Sequence, residues 1–362
     1  MKAIDERWSR RNGCAPLEAG KQRNTMGEMM HLSYAQNMED YHLDLVFAGQ
    51  DVGSYVDVGG GHPVADNVSF HFYLKGWQGL VVEPQAALAR LYPHVRPRDH
   101  AVSCLAGRAE DEIDFYVVDR LHGFSSSVRE HAAAASQFGA SFHTIRKIVR
   151  PLSILIDEAK LAAIDFLKID VEGAEAEVLA GLDLRRHRPR VLLIEAMQPG
   201  SLAAAWAGWE PMLIAQGYRF AFFDRLNRFY VAEEAKGLLE RFPAEPARWD
   251  GVLHLWDCGR APLRSDHPDH RLAQVLLHGF LAELPCLPMA LIETLLERGL
   301  AATATQGSSA EAVAHLFGGA EPAHPSAAEL AALLRTDAFR AALGRIASTY
   351  DGGHLMDEPQ GP

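Results

Sequence analysis

Four short apolar runs, each closing on or beside an acid or a glycine, constrain this chain more than any other feature. They are 54–58 (SYVDV), 79–83 (GLVVE), 164–170 (IDFLKID) and 190–195 (RVLLIE), with helix-like segments between them. Apolar runs of this length alternating with helices point to parallel βαβ units. Two further runs, 218–223 (YRFAFF) and 228–232 (RFYVA), are separated by Asp224, Arg225, Leu226 and Asn227. That spacing predicts an antiparallel hairpin at the end of the sheet. The stretch 110–118 (EDEIDFYVV) alternates toward its end and is expected beside the third parallel strand.

The strand signals stop near 258–270 (CGRAPLRSDHPDH), where Pro, Ser, Asp and Arg cluster as in a linker. Beyond it, 271–283, 289–299, 309–317, 326–334 and 336–348 read as helices with Ala and Leu faces. The expected division is a flexible arm at 1–30, an α/β domain at 31–257, a linker at 258–267, a small helical domain at 268–350 and a loose tail at 351–362. The helical part is expected to aid acceptor choice or to join copies into a homo-oligomer.

Composition narrows the function classes. With 48% hydrophobic and 23% charged residues, the chain of 362 has material for a real core. Lys and Arg number 35 against 47 Asp and Glu, a net charge of −12, which disfavours general binding to nucleic acid. The most apolar stretch, 276–296, is interrupted by His278, Glu283, Pro285, Pro288 and Glu293 and reads as buried helices, not a membrane span. Cys14, Cys104, Cys258 and Cys286 form no Cys-x-x-Cys pair and are expected as reduced thiols in a cytoplasmic chain. The first 30 residues lack the apolar stretch of a secretory signal.

The chemistry is concentrated in Asp57-Val58-Gly59-Gly60-Gly61-His62-Pro63, after one strand and before a helix. Glycines there let the backbone approach a ligand, and a helix N-terminus offers unpaired N–H groups. Glu83 ends the next strand, where an acid can accept hydrogen bonds from both hydroxyls of a ribose. Strand, glycine turn, helix, strand and terminal acid in this order predict an adenosine-type cofactor. The structural alternative is a tight turn with a solvated Glu83.

A family resemblance becomes visible at these residues. Ser33-Tyr34-Ala35-Gln36-Asn37-Met38-Glu39-Asp40 resembles the opening of FkbM-family methyltransferases. So do Tyr55 to Pro63, Gly76-Trp77-Gln78-Gly79, Val82-Glu83-Pro84, and Ala101-Val102-Ser103 with Gly107. The densest likeness is Phe166-Leu167-Lys168-Ile169-Asp170-Val171-Glu172-Gly173-Ala174-Glu175, then Val178-Leu179, Gly181 and Arg188-Pro189. The resemblance spans about 33–235 and leaves out the arm and the C-terminal helices. It implies a class I, Rossmann-like α/β fold binding S-adenosyl-L-methionine. The implied activity is O-methylation of a hydroxyl on a carbohydrate, glycan precursor or glycosylated natural product.

Carried over by position, Asp57 and Gly59, Gly60 and Gly61 would hold the methionine end of the cofactor. Glu83, with Pro84, would hold the ribose, while Ala101, Val102 and Ser103 would border the adenine. Gln36 would cover the cofactor, and Asp170 would face the sulfonium. Pro63 stands where many class I enzymes have glycine.

Methyl transfer to an alcohol needs positioning and a proton acceptor. Asp170, Glu172 and Glu195 are the carboxylates expected to converge at the sheet's C-terminal edge, where open α/β sheets bind ligands. Asp170 or Glu172 is the expected base. A divalent metal, magnesium or manganese, on Asp170 and Glu195 is the competing expectation. The bland one is that Glu172 caps the helix at 174–181. His62 is a further catalytic candidate, against a role in loop structure, and His122, ahead of Ser125-Ser126-Ser127, is a candidate for substrate contact. His143 is expected in or at the end of a helix. Phe70, Phe72, Tyr73 and Trp77 are expected in the core, and Arg146, Lys147 and Arg150 on a solvated face. Two rivals share parts of this pattern: a dinucleotide oxidoreductase of NAD(P) type, and a non-catalytic binding module on a methyltransferase fold.

Overall fold

In β2 (Ser54–Val58), β8 (Phe166–Ile169) and β9 (Val191–Glu195) nearly every side chain is buried, on both faces of the sheet. This is the pattern of parallel strands covered by helices on each side. A computed structural model describes residues 31–118, 122–198, 203–283, 337 and 341. The expected arm and tail, both cysteines Cys14 and Cys286, and the helices at 289–299, 309–317 and 326–334 lie outside the described residues.

Among the described residues the main sheet has seven strands. β3 (Gln78–Val82) and β4 (His100–Val102) flank β2 on one side, and β8 and β9 follow on the other. All of these neighbours pair in parallel. The sheet closes with the expected hairpin, β10 (Tyr218–Phe223) and β11 (Asn227–Ala232), and β11 lies antiparallel between β9 and β10. Val58 sits level with Val82 and with Ile169, and Ile169 with Ile194. The residues one step further on, Gly59, Glu83, Asp170 and Glu195, therefore emerge side by side at one edge.

Successive side chains in a strand point to opposite faces, and the core divides accordingly. Val56, Val58, Leu167 and Ile169 pack on one face with Leu152, Leu155, Val178 and Leu192. Tyr55 and Phe166 pack on the other with Phe47, Phe72, Trp77 and Leu193. Phe70, Phe72, Tyr73 and Trp77 are all buried in the core, as expected, and each such side chain contributes about 1.5–3 kcal/mol of transfer free energy.

Two expectations are corrected. The stretch 110–118 does not join the main sheet: β6 (Asp111–Val118) pairs antiparallel with β7 (Phe142–Pro151), which also pairs with β5 (Leu105–Gly107) in a separate three-stranded sheet. The alternating pattern of β6 suits a sheet with one open face, not a strand covered on both. His143 lies in β7, opposite Val117, and not in a helix. The β-branched and aromatic residues of 142–149 favour the extended state.

The stretch expected as a linker holds a short turn of 3₁₀ helix at Ala261–Leu263, and Cys258, Ala261, Pro262 and His267 in it are buried. A helix follows at His270–Glu283. β1 (His31–Ser33) pairs in parallel with β12 (Val252–His254). Asp337 forms an ion pair with Arg98, and Ala341 is buried with Tyr34, Val64, Phe70, Tyr73 and Leu255. Cys104 and Cys258 are free buried thiols. Among the described residues no helix is long and apolar enough to cross a membrane.

Candidate functional site

The glycine turn is built on a buried polar scaffold. Asn67 accepts the N–H of Phe70 at 2.8 Å and so caps the helix Val68–Leu74. Its amide also donates to the carbonyls of Gly60 at 2.8 Å and His62 at 3.1 Å. Arg96, fully buried, donates to Asn67, to the carbonyl of Pro63, to Ser69 and to Tyr55. Asp99 lies 2.6 Å from it and neutralises it. A buried network in which each charge is paired and hydrogen-bonded fixes the turn rigidly.

Within the turn the glycines have separate reasons. At Gly59, with φ of 76°, a Cβ would stand 1.7 Å from the carbonyl oxygen of Asp170. Gly59 thus permits the strand ends to meet, and the expected close approach to a ligand is not what demands it. Gly61 also has positive φ, at 58°, but a Cβ there would meet nothing within 4 Å. Open space lies there, beside the acid that follows: Glu83 accepts the N–H of Gly61 at 2.7 Å through one oxygen and that of Gln85 at 2.7 Å through the other. Burial pushes the Glu83 carboxyl up to about 7, against the opposing pull of the two N–H donors.

Val102 accepts the N–H of Glu83 at 3.0 Å, which sets Ala101, Val102 and Ser103 alongside Glu83 and Pro84. Ser103 accepts a hydrogen bond from Lys147 at 2.9 Å. Arg146 pairs with Asp114 and Arg150 with Glu158, in the manner of a solvated face. His62 is buried, and its Nδ1 accepts the N–H groups of Val64 and Ala65. This places it in the loop's own hydrogen bonding. Gln36 is exposed in the loop before the Glu39–Val46 helix.

Asp170, Glu172 and Glu195 do converge: one carboxylate oxygen from each lies within 4.8 Å of the others. Burial, then the nearby charges of Asp170 and Glu172, hold the Glu195 carboxyl well above the usual carboxylate range, and Glu195 hydrogen-bonds Asp170. Glu172, partly exposed, is also raised, first by its surroundings and then by Asp170. Glu175 accepts the loop N–H groups of Gly173 at 3.0 Å and Val171 at 3.3 Å, and among the described residues no side chain caps the helix Glu175–Ala180 that follows. Glu172 sits at φ of 55°, a strained conformation for a residue with a side chain. Its carbonyl is braced by Ser126 Oγ at 2.9 Å and His131 Nδ1 at 2.8 Å. The serine segment therefore covers this loop. The side chain of His122 lies outside the described residues.

Two groups, Lys168 and Glu39, were not singled out from the sequence. Lys168, buried on β8, donates to the Gly59 carbonyl at 2.8 Å and lies 3.3 Å from Asp170 and 3.5 Å from Asp57. The two carboxylates raise its pKa against the opposing effect of burial, which is the larger single influence. A lysine inside an apolar run was the available signal. Asp57 itself accepts from Ser69 at 2.6 Å, facing the scaffold. Finally, Glu39 is buried against the hairpin turn, accepting from Asn227 at 2.8 Å and from the N–H of Asn37 at 2.6 Å. Burial, then the charge of Asp224, pushes Glu39 up to about 8. Asn227 is level with Glu195, so the opening motif reaches the same sheet edge. Nothing near Glu39 in sequence reveals that contact.

Residues 51–220 match the family model described as "Methyltransferase FkbM domain". No curated protein and no solved structure matches the chain.

Proposed function

We propose, from the premise that residues 51–220 form a methyltransferase FkbM domain, that the chain is an S-adenosylmethionine-dependent O-methyltransferase acting on a hydroxyl of a carbohydrate, glycan precursor or glycosylated natural product. The observation that carries the reading is the level row of Gly59, Glu83, Asp170 and Glu195 at one sheet edge. A strand order of β4-β3-β2-β8-β9-β11-β10 with β11 antiparallel supports a class I methyltransferase sheet over a dinucleotide fold.

The residues present fit the cofactor. Gly61 faces open space, and the Glu83 oxygens keep lone pairs for two ribose hydroxyls after accepting one N–H each. Ala101–Ser103 border the adenine side, and Asp170, about a quarter exposed, faces the transfer point. Asp57 acts through Lys168 and Ser69 and positions the turn. When bound, the cofactor supplies an electrophilic methyl group for in-line attack by the acceptor oxygen.

This chain's residues align the acceptor and take its proton. Lys168 pairs with Asp170 at 3.3 Å, and Asp170 receives the hydroxyl proton as the new C–O bond forms. Glu195 and Glu172, whose carboxyls burial and Asp170 hold above the usual range, hydrogen-bond the acceptor's hydroxyls. Positioning can be worth about 7–11 kcal/mol and a base about 10²–10⁴-fold.

The cluster of three carboxylates also favours a second reading, a magnesium or manganese ion on Asp170 and Glu195 with Glu172 beside it. The orphaned, buried Glu195 Oε2 would suit that ion, whereas the ammonium of Lys168 on Asp170 competes with it.

Calorimetry with S-adenosylhomocysteine and with NAD tests the cofactor, and methyl transfer to a panel of glycans and glycosides tests the acceptor. Tight binding of NAD alone would return the oxidoreductase reading. Tight cofactor binding without turnover on any acceptor would return the non-catalytic module.

A further inference from the structure

A second set of metal-type ligands lies where β1 meets two helices. His31 opens β1, Asp40 and Asp44 stand one turn apart on Glu39–Val46, and His71 stands on Val68–Leu74. One ligand atom each from His31, Asp40 and His71 lies within 4.8 Å of the others. Asp44 lies beside this group, with Oδ1 3.2 Å from His71 Nε2 and Oδ2 4.0 Å from His31 Nδ1. Zinc bonds of about 2.0–2.1 Å at tetrahedral angles hold ligand atoms about 3.3 Å apart. The His71–Asp44 separation of 3.2 Å already has that length.

The imidazoles are ready to ligate. Their ring centroids are 4.7 Å apart. His31 Nε2 is buried with no hydrogen-bond partner among the described residues, and His71 Nε2 has the Asp44 oxygen near it but no aligned hydrogen bond. Lys75 also contacts Asp44, but its side chain is 32% exposed and can swing into water.

We propose that His31, Asp40 and His71 bind a divalent transition metal, zinc by their donor set, with Asp44 beside His71 completing the set. The ion clips β1 to both helices and so holds the opening segment, whose Ser33 and Tyr34 N–H already bond Asp40. This site is separate from the carboxylates at the sheet edge.

The test strips the full-length chain with a chelator and titrates it with zinc chloride by calorimetry, following thermal stability in parallel. One tight zinc per chain and a raised melting temperature are expected. His31→Gln and His71→Gln should each weaken binding about 10-fold or more, at least the cost of losing an outer-shell partner. Asp170→Asn should bind as the parent does. Lys75→Ala, which removes the competing cation, should bind at least as tightly. Where a histidine variant does not fold, Asp44→Asn and the visible spectrum of the cobalt-loaded parent decide, a tetrahedral spectrum lost in Asp44→Asn being expected. No binding by the parent, unchanged binding by the histidine or Asp44 variants, weaker binding by Lys75→Ala, or loss in Asp170→Asn would each overturn the proposal.

Discussion

Glu83→Gln tests the cofactor reading through its charge. The parent carboxyl is pushed up to about 7 from 4.5 by burial. Roughly nine-tenths of it is therefore protonated at pH 6 and ionised at pH 8. Only the carboxylate can accept from two ribose hydroxyls while holding the N–H groups of Gly61 and Gln85. Affinity for S-adenosylhomocysteine should thus fall about 10-fold from pH 8 to pH 6, since only the ionised fraction is competent, with a proton released on binding at the lower pH. The amide cannot ionise, so its affinity should not vary in this window. At pH 8 the variant should bind about 10- to 150-fold more weakly, the about 1.5–3 kcal/mol of a hydrogen bond to a charged group. Calorimetry in buffers of different ionisation enthalpy reads both affinity and proton release. The sign for folding runs the other way. A folded-state pKa above the unfolded value gives stability that is full below 4.5 and is lost as pH rises through about 7. The ligand-free parent should therefore lose stability relative to the variant across that range. Parallel pH curves for parent and variant, with equal affinities, would refute the reasoning.

Gly59→Ala should lower the melting temperature sharply, because its Cβ would meet the Asp170 carbonyl at 1.7 Å, whereas Gly61→Ala should cost only the about 1–2 kcal/mol of a left-handed residue. Equal melting temperatures would show that the strand ends do not meet as described. Lys168→Met should destabilise by about 3–5 kcal/mol in urea at neutral pH, as it strands two carboxylates, and by less in acid, where they protonate. A loss that does not shrink on acidification would point to packing instead. Asp170→Asn should lower kcat about 10²-fold or more with unchanged S-adenosylhomocysteine affinity, and a chelator should leave the parent's turnover intact. Turnover abolished by the chelator and restored by magnesium or manganese would favour the metal reading.

The parallel strands, the hairpin and the acid-and-glycine strand ends were legible in the sequence, because burial on both faces writes itself as an apolar run and a sheet's carboxyl edge as the residue that follows it. Glu83, Asp170 and Glu195 could be singled out on that ground alone. The resemblance to FkbM-family methyltransferases was readable too, from motifs in order along about 33–235, and the family model matches within that span, at residues 51–220. Tertiary structure decided what depends on register and on distant partners. It moved 110–118 into a second sheet, because alternation reveals one open face but not which strand covers the other. It set Glu175 against the loop N–H groups of Val171 and Gly173 and brought Glu172 together with Asp170 and Glu195. It made Lys168 the counter-ion of Asp57 and Asp170 and joined Glu39 to Asn227 across 188 positions. A chain's pattern records how much water each residue sees, whereas the charge a carboxyl carries depends on which distant groups the fold brings within a few ångströms.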